Sequence, residues 1–224
     1  MPSGPHSSPD RGGSATRTQA ALLETSGPDI QAGPPGAQLV ALTFHGAGPA
    51  ALTAAVLEVA RAHDARLTVF AVGRWLRATP GVGQAILAGG HDLGNHTWSH
   101  RPMGRLSAAE AELEVSRGAA AVAAARGTAG LLFRPSGTPS STPLIRDAAR
   151  ASGYHRCISY DVDPHDYLDP GPAAVRDRTL SAVRAGSIVS LHLGHAGTVA
   201  ALPAILAGLR TKGLKAVTIS DLLS

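Results

Sequence analysis

The chain has 224 residues, a formal net charge of +4, 44% hydrophobic residues and one cysteine, Cys157. That length suits one large domain or two small ones, and a lone cysteine excludes both a disulfide scaffold and a cysteine-based zinc site. No run of about 18 apolar residues offers a membrane span, and 20 Lys and Arg against 16 Asp and Glu, spread without a basic cluster, argue against a nucleic-acid partner.

Residues 1–37 are rich in Ser, Gly, Pro and Thr and read as a disordered tail or linker. This segment lacks the charged start, the apolar core of roughly 7–15 residues and the small-residue cleavage site of a secretory signal. Residues 38–224 form a single domain in which short apolar or β-branched runs alternate with Ala-rich segments of helical period, the pattern of repeated βα units in an α/β protein. Strands are expected at 39–44, 67–72, 131–133, 157–162, 188–191 and 216–219. Helices are expected at 50–62, 81–88, 108–125, 143–151, 173–184 and 199–212. Ser107 with Glu110 makes a capping box, and Thr142 before Pro143 marks another helix start.

In βα folds the chemistry gathers where the strands end. The polar residues found there are His45, His96, His100, Arg134, Asp163, Asp166 and His192. Ten histidines make a metal site the first possibility to consider. His96 and His100 have the i, i+4 spacing that places two imidazoles on one face of a helical turn, about 5–6 Å apart at Cβ. By spacing alone they are either metal ligands or ordinary core and surface histidines.

The text around that pair is more specific. The stretch from Thr68 to Gly73, then Gly90-His91-Asp92-Leu93-Gly94-Asn95-His96 and on through Ser99-His100, resembles the polysaccharide deacetylase (NodB-homology) family, and the resemblance runs in order to the carboxyl terminus. It implies a distorted (β/α) barrel in which a divalent metal, usually zinc, is held by Asp-His-His and activates water to hydrolyse an N-acetyl group. Carried onto this chain, His96 and His100 match the two histidine ligands, and His192 in Ser187–His192 matches the general acid. Arg134 matches the arginine of the Arg-x-Pro-Tyr motif, although the tyrosine is missing. Asp163 would brace Arg134, Tyr167 would stand for the usual tryptophan, and the backbone N–H near Gly137 would help hold the oxyanion. Trp98 and Tyr167 stack on sugar rings or close the core.

The first motif departs from the family. Where the family has Thr-Phe-Asp-Asp-Gly, this chain has Thr43-Phe44-His45-Gly46-Ala47-Gly48-Pro49. Three readings stand open: His45 is the third metal ligand beside His96 and His100, or it replaces the catalytic base, or it is inert and the site is dead. The resemblance thus implies a metal-dependent hydrolase, with zinc the expected divalent metal, that removes acetyl groups at a non-peptide C–N bond from a peptidoglycan-like or chitin-like carbohydrate polymer or oligosaccharide. The alternative is a catalytically impaired carbohydrate-binding protein on the same fold. A monomer is expected. The resemblance implies the cell envelope or the exterior, whereas no export signal is read in the chain.

Overall fold

The computed structural model describes residues 27–224. In chain order its elements are β1 (Leu39–Gly46), α1 (Ala50–Ala62), β2 (Thr68–Ala71), α2 (Gly73–Ala78), α3 (Val82–Ala88), β3 (Asp92–Asn95), α4 (Ala108–Arg126), α5 (Pro143–Ala151), α6 (Pro172–Ala182), β4 (Ile188–His192), α7 (Ala196–Thr211), β5 (Lys215–Val217) and α8 (Ile219–Leu222), with 3-10 turns at Met103–Arg105 and Asp166–Leu168.

Alternation along β1 builds two layers, because successive strand side chains point to opposite faces. Val40, Leu42 and Phe44 join an apolar cluster with Val56 of α1 and Leu202 and Leu206 of α7. Ala41 belongs to a second cluster with Phe70, Leu132, Ile158 and Ile188, closed below by Ile219 and Leu222 of α8. The sheet is parallel throughout, in the order β3-β2-β1-β4, and β5 pairs with the start of β1. Parallel pairing brings every strand out at the same end. In that register His45 lies opposite both Phe70 and His192, and Ala71 opposite Asn95.

Two irregular segments turn this sheet into a distorted barrel. Phe133 bridges Asn95, the Ile158 amide donates to the Phe133 carbonyl, and Val162 bridges Val189. The strands expected at 131–133 and 157–162 are thus single bridges rather than continuous ladders. Pro135 and Pro164 supply no amide donor, so neither segment extends a regular ladder. β3 and α2 were not anticipated, being short and poor in apolar periodicity. The other expected helices are present with ends moved by a few residues, and both predicted caps form: Ser107 Oγ accepts from the Glu110 amide and Thr142 Oγ1 from the Ile145 amide.

The boundary expected at residue 38 is too late. The part of the proposed tail before residue 27 lies outside the described residues, but the stretch after it is woven into the barrel. The Ile30 amide donates to the Cys157 carbonyl, the Ser159 amide donates to the Ile30 carbonyl, and the Gly33 amide donates to the Gly186 carbonyl. Asp29 accepts from the Ser141 amide and hydroxyl. Composition concealed this, since a single Ile among Gly and Pro does the packing: its side chain is 8% exposed within the inner cluster. Ile30→Ala is expected to destabilise the fold by about 2–4 kcal/mol, lowering the melting temperature by roughly 5–15 °C in scanning calorimetry. An unchanged transition would show that this segment does not hold the barrel.

Candidate metal centre and active site

His45 ends the inward row of β1, and its ring is wired at both nitrogens. Nε2 lies 3.2 Å from Nη1 of Arg134 and 3.0 Å from Oγ of Ser190, while Nδ1 lies 3.1 Å from Nε2 of His96. Nδ1 of His96 is 2.8 Å from the Arg134 carbonyl oxygen. A guanidinium only donates and a carbonyl only accepts, so the partners assign the tautomers. Arg134 donates to Nε2 of His45, Nδ1–H of His45 donates to Nε2 of His96, and Nδ1–H of His96 donates to the Arg134 carbonyl.

His100 completes the cluster. One ring nitrogen from each of His45, His96 and His100 lies within 4.8 Å of the others. The expected helical turn is absent; the segment leaving β3 is irregular, with Thr97 at φ 67° and His100 at φ 61°. Those left-handed residues fold the loop back so that the His96 and His100 rings come within 4.9 Å of each other. Side chains hold the bend in place of helical hydrogen bonds. Asn95 Oδ1 accepts from the Thr97 amide, and buried Glu114 accepts from the Ser99 amide and hydroxyl at 2.8 and 2.6 Å.

Gly46 offers no ligand, and its neighbours explain why. A Cβ there would stand 2.9 Å from the Ala71 Cα and 3.0 Å from the Phe70 carbonyl oxygen, both rigid backbone atoms of β2. A carboxylate therefore cannot be placed at this position without moving the strand.

Arg134, 1% exposed, was expected to pair with Asp163. Its donors instead reach the Ile158 and Ser159 carbonyls, Thr43 Oγ1 and His45 Nε2. Burial pulls its pKa down to about 9, opposed by the charges of Tyr160 and Asp163, so Asp163 acts on it only at a distance. The Asp163 carboxylate instead accepts from the His165 amide and pairs with that ring.

The carboxylate that touches the candidate acid is Asp166. It lies 2.7 Å from Nδ1 of His192 and also accepts from the His192 amide and the Thr198 hydroxyl. The sequence places Asp166 among the strand-end polar residues without assigning it a role, because nothing local to it announces a partner 26 residues away. Ser190 was also missed, although strand alternation places it on the same inward side as His192. A second pair, His195 Nδ1 to Asp169 Oδ1 at 2.9 Å, stands beside the first.

A cavity of about 140 Å³ opens here, walled by His45, His96, His100, His192 and His195 with Gly46 and Gly194. Tyr167, 44% exposed, sets its ring edge-on to His192 at 5.3 Å on the rim. Trp98 is elsewhere: its ring is buried beneath Arg77 and Arg117, away from the histidine cavity. Gly137, exposed and at φ 66°, turns against Pro102, and among the described residues no hydrogen bond joins it to the histidines.

Burial holds the pKa of His45 and of His96 well below the ordinary 6.5, reinforced by the neighbouring imidazoles and Arg134; burial and His192 lower that of His100. All three are neutral at neutral pH, the form that metal ligation requires. The donor set thus fits a divalent cation of the kind imidazole prefers, zinc among them. His45 would have to carry its proton on Nε2, facing Ser190 Oγ, so that Nδ1 is free.

Known proteins share this sequence pattern and fold. A family model described as polysaccharide deacetylase matches residues 32–157. A peptidoglycan-N-acetylglucosamine deacetylase of Bacillus cereus is 31% identical over 190 residues, covering 83% of this chain and 88% of that protein. A CE4 family pseudoenzyme of Bacillus anthracis superposes with a TM-score of 0.82 at 26% identity, covering 90% of this chain and 70% of the other. A family 4 carbohydrate esterase of Streptomyces lividans does so with a TM-score of 0.73 at 30% identity, covering 80% and 91%. The family match spans more than half of the sequence and the Bacillus cereus relative is covered across most of its length; this chain belongs to the polysaccharide deacetylase family.

Proposed function

We propose that the protein is a metal-dependent deacetylase of N-acetylated amino sugars in a peptidoglycan-like or chitin-like polymer or oligosaccharide. The observation that carries this reading is the convergence of three neutral imidazoles, those of His45, His96 and His100, beside a histidine anchored by a buried carboxylate. Zinc held by the three would supply Lewis acidity toward water and the amide carbonyl. His192, its Nδ1–H held by Asp166, would take up a proton from the attacking water at Nε2 and hand it to the departing amine. Tyr167 offers an exposed ring at the rim for a sugar face. When Nδ1 is a ligand, Ser190 Oγ would accept a hydrogen bond from Nε2–H of His45, and Arg134 Nη1 would give up its bond to that nitrogen. Deacetylation of a wall polymer places the work at the cell envelope or outside.

A second reading has a specific observation behind it. Arg134 and Ser190 both crowd Nε2 of His45, which favours the tautomer with Nδ1 protonated and turned on His96, so the cluster satisfies itself without an ion. In that reading the protein binds carbohydrate without cleaving it, and the pseudoenzyme of Bacillus anthracis would be its counterpart.

Metal content by mass spectrometry, measured with acetate release from chitin oligomers and peptidoglycan, separates the two. About one zinc per chain with acetate released is expected, and His96→Ala or His100→Ala should abolish both. His45→Ala should lower metal affinity and activity together. If metal stays while activity falls by about 10²–10⁴, His45 is the base instead. Oligosaccharide binding with neither metal nor acetate would establish the impaired-protein reading.

The lowered pKa values also predict acid sensitivity in chelator-treated protein. Below pH 6.5 the unfolded chain takes up protons that buried His45 and His96 refuse, so stability should fall as pH falls. The slope approaches about 1.4 kcal/mol per pH unit for each histidine. Denaturant titrations from pH 7.5 to 5 should show it, and His45→Gln should make it shallower. A flat profile would mean that these rings are not held neutral.

A further inference from the structure

The outer face of the barrel carries a groove of about 520 Å³ between α2 and α3 on one side and α4 on the other. Its volume lies within the roughly 300–1,000 Å³ of small-molecule sites. Leu76, Pro80, Ala120 and Ala124 give it apolar walls, and Trp98, Arg77 and Arg117 line it too. The guanidinium carbons of Arg77 and Arg117 lie 4.8 and 4.4 Å from the Trp98 ring centre. Among the described residues neither arginine has a carboxylate partner, and the buried Nε1 of Trp98 has no acceptor.

Two like charges on one ring, unneutralised beside an apolar channel, define the missing partner by its chemistry. A guanidinium drawn to a ring by its charge keeps in-plane N–H donors to offer a planar anion. A carboxylate is the bidentate complement to such a fork. A hydrophilic anion such as free phosphate would leave the alanine wall without a use, and a neutral hydrocarbon would leave the cations without one. We propose that this groove binds a free alkyl carboxylate, with its head group at Arg77 and Arg117 and its chain along α4. The proposal does not depend on the deacetylase reading. It bears on the candidate metal centre physically, because Trp98 belongs to the loop that carries His96 and His100.

Isothermal titration calorimetry of the full chain with octanoate, 1-octanol and acetate tests it. Saturable one-to-one binding of octanoate is expected, with octanol and acetate each weaker by at least about tenfold. Arg77→Gln and Arg117→Gln, both surface changes, should weaken octanoate by a similar factor. Ala124→Trp, which fills the groove from an exposed helix position, should abolish binding without altering the melting temperature. Equal binding of octanol would reduce the effect to apolar adsorption, and equal binding of acetate to adventitious anion binding. Either result, or octanoate binding unaffected by Ala124→Trp, would overturn the proposal.

Discussion

A guanidinium enclosed in the barrel, with no carboxylate in hydrogen-bonding contact, governs the arrangement of the site. Burial of such a charge is tolerable only when its donors are satisfied, and Arg134 meets that condition with two carbonyls, a threonine hydroxyl and an imidazole. Two of those bonds tie the irregular 157–162 segment to the barrel interior, so the same contacts that satisfy the charge help to close the ring. The backbone carbonyl of Arg134 meanwhile fixes His96. One residue thus sets the tautomer of His45 from its side chain and that of His96 from its main chain.

With His45 and Gly46 at its end, β1 brings no carboxylate to the three imidazoles. Three neutral imidazoles bring no negative charge to a bound cation, so its charge would be less compensated than in an Asp-His-His site and its acidity greater, at the expense of retention. Of the anchored carboxylates around the site, Asp166 is committed to His192 and Thr198 and Glu114 to Ser99. That division suits a site in which the ligands stay neutral and a separate pair handles the proton.

The loop from His96 to His100 is the mechanical counterpart. Its two left-handed non-glycine residues are strained; Asn95 and Ser136 hold Thr97, and Glu114 holds Ser99 beside His100. Trp98, midway along it, turns outward beneath two arginines and anchors the loop on α4. The buried indole N–H without an acceptor carries a penalty of about 1–3 kcal/mol, which the packing of the ring must offset. The histidine-bearing and helix-facing sides of this loop therefore belong to one hydrogen-bonded and packed segment.

Periodicity and caps by themselves determined the βα alternation, the central strand at 39–44, the long helix capped by Ser107 and the grouping of histidines at strand ends, because each depends on residues within a few positions of one another. The motif order also singled out His45, His96, His100, Arg134 and His192, which the tertiary structure brings around one network. What the sequence left open was decided by contacts across the chain. Asp163 turns to His165 instead of bracing Arg134, and Asp166 meets the candidate acid, since a turn sets which of two nearby carboxylates reaches β4. Trp98 faces helices instead of the cavity, since left-handed residues reverse the loop where a helical turn was expected. Ile30 packs inside the barrel although its neighbours read as linker, since a single apolar residue carries no period. The absence of a carboxylate at Gly46 is legible from the sequence, but that β2 leaves no room for one is a fact of packing alone.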